Sequence, residues 1–256
     1  MDMDQAPEWF EKSDQLIAEV HQKVARAVEL NGMPTALKFY PRQAHWFILD
    51  SLAIANKANR DGMHANALLT TRQCIEAMSI IELGLCSNAG AEAELRAWHE
   101  NKRTPGQLRK WLSVNVWPTY GVGLWSEPWV DFMAQLSGAV QSYAHYTAQL
   151  AQWQVHLVGP APSEGDAYNF FARMAPRAYD PQKATRITLF HAILQFAMAR
   201  ILLGAGAGSD DGFKERVSSW GEAIGASSYL DGHRTDWEKQ FWSVVWSPSR
   251  RTTILE

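Results

Sequence analysis

The stretch "ALLTTRQCIEAMSIIELGL", residues 67–85, constrains the fold more than any other part of the chain. Leu68, Leu69, Cys74, Ile75, Met78, Ile80 and Ile81 fall on nearly every side of a helix. A helix that is apolar all round belongs at the centre of a bundle. Yet this one carries Arg72 and Glu76 one turn apart on a single face, with Ser79 next along it. Charges in such a place must be paired, because an unpaired buried charge is strongly destabilising. The pair either holds neighbouring helices in register or lines a polar pocket between them, with Arg72 facing an anion.

Helical spacing dominates the rest of the chain, and strand signals are nearly absent. Leu16, Ile17, Val20, Val24 and Val28 mark a helix over 6–31, closed by Asn31-Gly32. A second helix, 41–60, opens with Pro41 at a first-turn position and ends at Asp61-Gly62. The central helix covers 63–88, and a shorter one 90–102. Thr104 and Pro105 form an N-cap and first position for the next. Residues 126–158 read as one long helix with Trp129, Phe132, Met133, Leu136, Val140, Tyr143, Thr147 and Leu150 facing inward. Residues 159–166 read as a loop and 167–178 as a helix, and Asp180-Pro181 opens an apolar helix to Leu203. The expected fold is all-α. A multi-helix bundle spans 1–203, a Gly-rich linker 204–212, and a C-terminal helical appendage 213–256.

The balance of 46% hydrophobic and 20% charged residues is that of a globular chain with a sizeable core. A net charge of −3 offers no global field for nucleic acid or an anionic membrane, so any such contact must be local. Cys74 and Cys86 lie about 18 Å apart along one helix and cannot pair, which fits a reducing, cytoplasmic compartment. The acidic start "MDMDQAPEWFEKSDQ" lacks the basic-then-apolar pattern of a leader. The most membrane-like segment, 187–208, contains His191, Gln195 and Arg200, and a buried core helix is expected there rather than a span. Twelve tryptophans are read as ring packing in that core.

Several chemistries lack their motifs. There is no Walker pattern, and "GAGAG" follows a helix rather than a strand. No CxxC, His-Glu-x-x-His or Gly-x-Ser-x-Gly occurs, and no histidine has a Glu three residues before it. No metal site or cofactor is expected.

The polar constellation that remains joins Arg72 and Glu76 to "LSGAVQSYAH", where His145 lies on a polar flank with Gln141, Ser142 and Gln149. An Arg-x-x-x-Glu on a central helix, followed by Leu136-Ser137 and His145 on a later one, resembles the HEPN superfamily and related bacterial all-helical families. The resemblance covers about 90 residues. It implies an all-helical fold and nucleotide or nucleic-acid binding. In many members it implies metal-independent RNA cleavage, with Arg72, Glu76 and His145 as the catalytic candidates. The Arg-x4–6-His motif of the nuclease members is matched in spacing by Arg186 and His191, with Ile187 where a polar residue is expected. Chance supplies such a spacing in a chain with this many arginines and histidines.

Residues 96–110, with Arg96, Lys102, Arg103, Arg109 and Lys110 flanked by Trp98 and Trp111, form the candidate nucleic-acid surface. Arg173, Arg177, Lys183 and Arg186 form a second basic strip. Near the C-terminus, Trp237, Phe241, Trp242, Val245 and Trp246 share a helix face suited to docking on the bundle or on a second copy in a homodimer. Three functions fit these features: RNA or nucleotide binding with RNA cleavage, a non-enzymatic assembly role, or binding of a small anionic ligand in the bundle.

Overall fold

The structure is a computed structural model. It describes residues 6–139, 141–143, 145–147, 150–151, 153–161, 169–174, 177, 179–207 and 211–228. Its centre is an antiparallel helix pair, α2 (Thr35–Arg60) and α3 (His64–Leu85), joined through Asp61 and Gly62, whose φ of +75° suits glycine. Around it run α1 (Glu8–Leu30), α4 (Ala91–His99), α5 (Pro105–Asn115), α6 (Trp129–Ala139), α7 (Pro181–Gly204) and α8 (Asp211–Gly225). The fold is an all-α, multi-helix bundle, as the periodicity demanded.

Helix α3 is buried on nearly all sides, from His64 through Leu85. It packs against α1, α2, α4, α5 and α7. Helix α7 is buried in the same way. It is the one described helix long and apolar enough to cross a membrane, and 78% of that apolar stretch lies inside the bundle. The local signals that open helices hold. Thr104 and Gln107 form a reciprocal capping box before α5, and Asp180 accepts from the Gln182 and Lys183 amides at the start of α7.

Four expectations are corrected. Helix α2 begins at Thr35, so Pro41 lies inside it rather than at its first turn. Pro41 there costs a backbone hydrogen bond, and its ring is accommodated by packing on Gly84 of α3. A Cβ at Gly84 would sit 2.8 Å from Pro41 Cβ. Gly84→Ala is therefore expected to destabilise the fold by about 1–3 kcal/mol through overpacking, read by urea unfolding. An unchanged midpoint would mean that the two helices separate freely.

The long helix expected over 126–158 stops at Ala139. Ser126 has φ +67°, and Pro128 precedes the first turn of α6. Beyond α6 lie a 3₁₀ turn (Gln141–Tyr143) and a turn in which the Thr147 hydroxyl accepts from the Leu150 amide. Gly138, Tyr143, Tyr146 and Thr147 all favour helix weakly, so packing decides the break. Trp129, Phe132, Met133, Leu136, Tyr143 and Leu150 are nevertheless buried as expected.

The third correction is a strand pair. β1 (Val155–Ala161) and β2 (Asn169–Met174) form an antiparallel hairpin with an irregularity between Leu157 and Gly159. β2 replaces the helix expected over 167–178, and β1 takes in residues 159–161 of the expected loop. Val155, Val158, Phe170 and Phe171 favour extended chain, and an isolated segment this short cannot hold a helix alone.

The fourth concerns the C-terminal region. Helix α8 lies antiparallel on α1, with Phe213, Val217, Trp220 and Ile224 fully buried in the common core. Trp220 Nε1 donates to Ser13 Oγ at 2.9 Å. Residues 213–224 thus belong to the bundle and not to an appendage. Of the expected linker, Gly204 ends α7, Gly206 lies in the turn that follows at φ +68°, residues 211 and 212 open α8, and 208–210 lie outside the described residues. The tryptophan-rich face at 237–246 lies outside the described residues.

Candidate functional site

Arg72 and Glu76 sit on the one half-buried edge of α3. Arg72 Nη2 donates to Glu76 Oε1 at 2.8 Å, and Nη1 donates to Gln141 Oε1 at 2.8 Å. The 3₁₀ turn after α6 is thereby tied to the central helix. An i, i+4 pair with the arginine first and partial solvent access stabilises by about 0.3–0.5 kcal/mol at most. It is too weak and too open to be what fixes the register of the bundle.

The basic strip contributes one residue to this place. Arg109, on α5, lies within the field of both Glu76 and Arg72. Burial lowers its pKa from the ordinary value, Glu76 raises it, and Arg72 lowers it. Its guanidinium makes no hydrogen bond or ion pair with any described residue. Glu76 is paired with Arg72 and acts on Arg109 only through its field, so two half-buried guanidiniums lie within the influence of one carboxylate.

The other strip residues do not join it as free cations. Arg96 pairs with Glu92 at 2.8 Å, and Lys102 with Glu100 at 2.6 Å. Arg103 grips Glu94 in bidentate fashion, at 2.8 and 3.0 Å. Glu92 reaches Arg96 one turn on in α4, and Glu94 reaches Arg103 beyond the end of that helix. Lys110 is exposed beside Arg109. Trp98 and Trp111 are half-buried, with Trp98 packed against Tyr40 at 5.8 Å, so neither stands free for base stacking. Of the second strip, Lys183 does not reach the surface: it is buried and its Nζ donates to the Trp153 carbonyl, whereas Arg177 is exposed.

The histidines separate clearly. His145 is exposed, four residues beyond Gln141, with no hydrogen bond to Arg72 or Glu76. His191 is buried in the core, its Nδ1 against Asn56 Oδ1 at 2.8 Å. Burial holds its pKa down at about 4, so it cannot meet a polymer in solvent and the Arg186–His191 spacing carries no nuclease site.

Buried imidazoles form a feature the sequence reading missed. His21 Nε2 faces Gln195 Oε1 at 2.7 Å, and His21 Nδ1 faces His45 Nε2 at 3.0 Å. With the Gln195 oxygen accepting, His21 Nε2 carries the proton and His45 Nε2–H donates to His21 Nδ1. His64 donates to Asn59 Oδ1 and accepts from the Asp180 amide. The signal was available: His21 falls beside Val20 and Val24, and His45 before Ile48 and Leu52, on the faces that point inward.

Among the described residues no three His, Cys, Asp or Glu side chains converge on a common point. Where the ends of α1, α3 and α7 meet, a cavity of about 690 Å³ is lined by Lys23, Arg26, Asn31, Cys86 and Glu92 among others. Burial pushes the Cys86 thiol up to about 11, which leaves it unreactive as a nucleophile at neutral pH. No family model, curated protein or solved structure matches this chain.

Proposed function

We propose that this protein is a HEPN-like helical protein that binds RNA or a nucleotide through the phosphate groups, with Arg72 and Arg109 as the anion-binding pair. The observation that carries the reading is Arg109, a half-buried cation next to a second guanidinium and without a hydrogen-bonded partner among the described residues. An unpaired cation in such a place costs stability, and a bound phosphate removes that cost with bidentate hydrogen bonds. Glu76 orients Arg72, Gln141 holds its other edge, and Lys110 extends the positive patch outward. RNA cleavage belongs to the same reading. His145 is the exposed histidine on the neighbouring turn and would move the proton, while Arg72 would stabilise charge on the phosphate.

An assembly role has separate support in an exposed apolar face on α2, where Phe39, Trp46, Phe47, Leu49 and Ile54 reach solvent. A homodimer through that face is compatible with ligand binding at Arg72 and Arg109.

The test is fluorescence anisotropy of a labelled single-stranded RNA across a salt series. Binding is expected at low salt, with affinity falling linearly in log salt. Arg109→Gln is expected to weaken it and to lower the salt slope by about 1. Lys57→Gln, at an exposed pair with Asp61 on α2, should leave it unchanged. Absence of RNA and nucleotide binding at low salt sinks the reading. Intact binding with no product, in the parent as in His145→Ala, removes the cleavage step alone.

A further inference from the structure

A second cleft, of about 460 Å³, opens where the C-terminal end of α7 meets the first half of α8 and the 3₁₀ turn Trp117–Thr119. Arg200, Lys214 and Ser218 line it, with Thr119, Leu203 and Gly204. This volume is in the range of small-ligand pockets, roughly 300–1,000 Å³.

Arg200 is half-buried and fixed in place. Its Nη2 donates to the Tyr120 carbonyl at 2.8 Å, and its guanidinium lies 5.4 Å from the centre of the Trp129 ring. Those contacts use one of its five N–H donors and no carboxylate. Lys214 is exposed one turn into α8 and makes no ion pair with a described residue, and the Ser218 hydroxyl lies one turn further on the same face. The Thr119 hydroxyl is already committed to the Val116 carbonyl at 2.7 Å. Among the described lining residues there is no acid. Two cations therefore face one cavity with no acid among its described lining residues, and one of them is rigidly positioned.

We infer that this cleft is an anion site for a small phosphate-bearing ligand, held by Arg200, Lys214 and Ser218. The guanidinium fork comes from α7, and the ammonium and the hydroxyl come one turn apart from α8, so the donors approach from two sides. Such donors suit the tetrahedral oxygens of phosphate better than the plane of a carboxylate. The site is independent of Arg72 and Arg109. Arg200 belongs to α7 and Lys214 to α8, whereas Arg72 and Arg109 belong to α3 and α5.

The test is titration of the ¹⁵N-labelled full chain with inorganic phosphate, at constant ionic strength, following the Gly204 and Ser218 amide signals. Saturable shifts are expected, with affinity in the millimolar range for so small a probe. Lys214→Gln, a surface change that leaves the Tyr120 contact intact, should weaken binding by about ten-fold. Arg109→Gln should leave these shifts unaltered, so loss of the Arg72–Arg109 site and loss of this one read out separately. Absence of saturable shifts, or equal affinity in Lys214→Gln, overturns the site. An equal response to acetate overturns the phosphate assignment.

Discussion

Replacing Trp220 by alanine is expected to destabilise the whole protein by about 3–5 kcal/mol. Trp220 is fully buried, meets Phe196 of α7 edge to face with centroids 6.0 Å apart, and donates to Ser13 of α1. Its loss would leave a cavity between three helices and strip the Ser13 hydroxyl of its donor. That magnitude is a large fraction of the stability of an ordinary domain. Urea unfolding followed by far-ultraviolet circular dichroism measures it, with Trp46→Ala as the control, since Trp46 is half exposed on α2. A single transition moved to lower urea is the expected outcome. A separate early transition, with the main one unmoved, would mean that α8 folds apart from the bundle, as an appendage would.

Stability is expected to fall steeply as pH drops from 7 to 5. His21, His45, His64 and His191 are all buried, and burial is the largest cause lowering each pKa. His45 is lowered further by His21, and His64 by Lys183 against the opposite pull of Asp180, while Gln195 pulls His21 upward. His45, His64 and His191 are held at about 4, against an ordinary value of 6.5. In the folded chain these rings therefore stay neutral where the unfolded chain takes up protons. Their contribution is present above 6.5 and is lost as pH falls towards 4. Each contributes a slope of up to about 1.4 kcal/mol per pH unit in that window.

The His21–His45 contact gives the geometric reason. It uses a single proton between two ring nitrogens, and a second proton would set donor against donor. Glu82 acts in the opposite sense. It is buried under Trp117, and its pKa is raised to about 8, so its contribution weakens as pH rises from the carboxylate range through 8. One carboxyl opposes four imidazoles, and the fall towards pH 5 prevails. Urea midpoints at pH 7, 6 and 5 measure it. His64→Gln should flatten the dependence, and a midpoint constant across that range would show that the buried rings take up protons without unfolding.

The elements with strong local signals were legible in the chain. Thr104-Pro105 and Asp180-Pro181 carry their helix starts within three residues, because a cap is made between near neighbours. The all-round apolar pattern of residues 67–85 marked the central helix for the same reason, since periodicity is a local property. Where local preferences nearly balance, the sequence misled. The stretch after Gly138 reads as helix on apolar spacing and is broken by packing, and residues 169–174 become a strand because residues 155–161 lie beside them.

The candidate site was half legible. Sequence alone determined that Arg72 and Glu76 share a helix face and need a partner, because an i, i+4 relation follows from helical geometry. Only the tertiary structure decided that Arg109 is the cation brought to them, and that Glu94 of α4 grips Arg103 beyond the end of that helix. It also decided that His145 faces solvent and His191 the core, and that α8 completes the bundle. Charge neutralisation and burial depend on which residues meet across elements, and contacts between residues far apart in the chain leave no periodic trace in it.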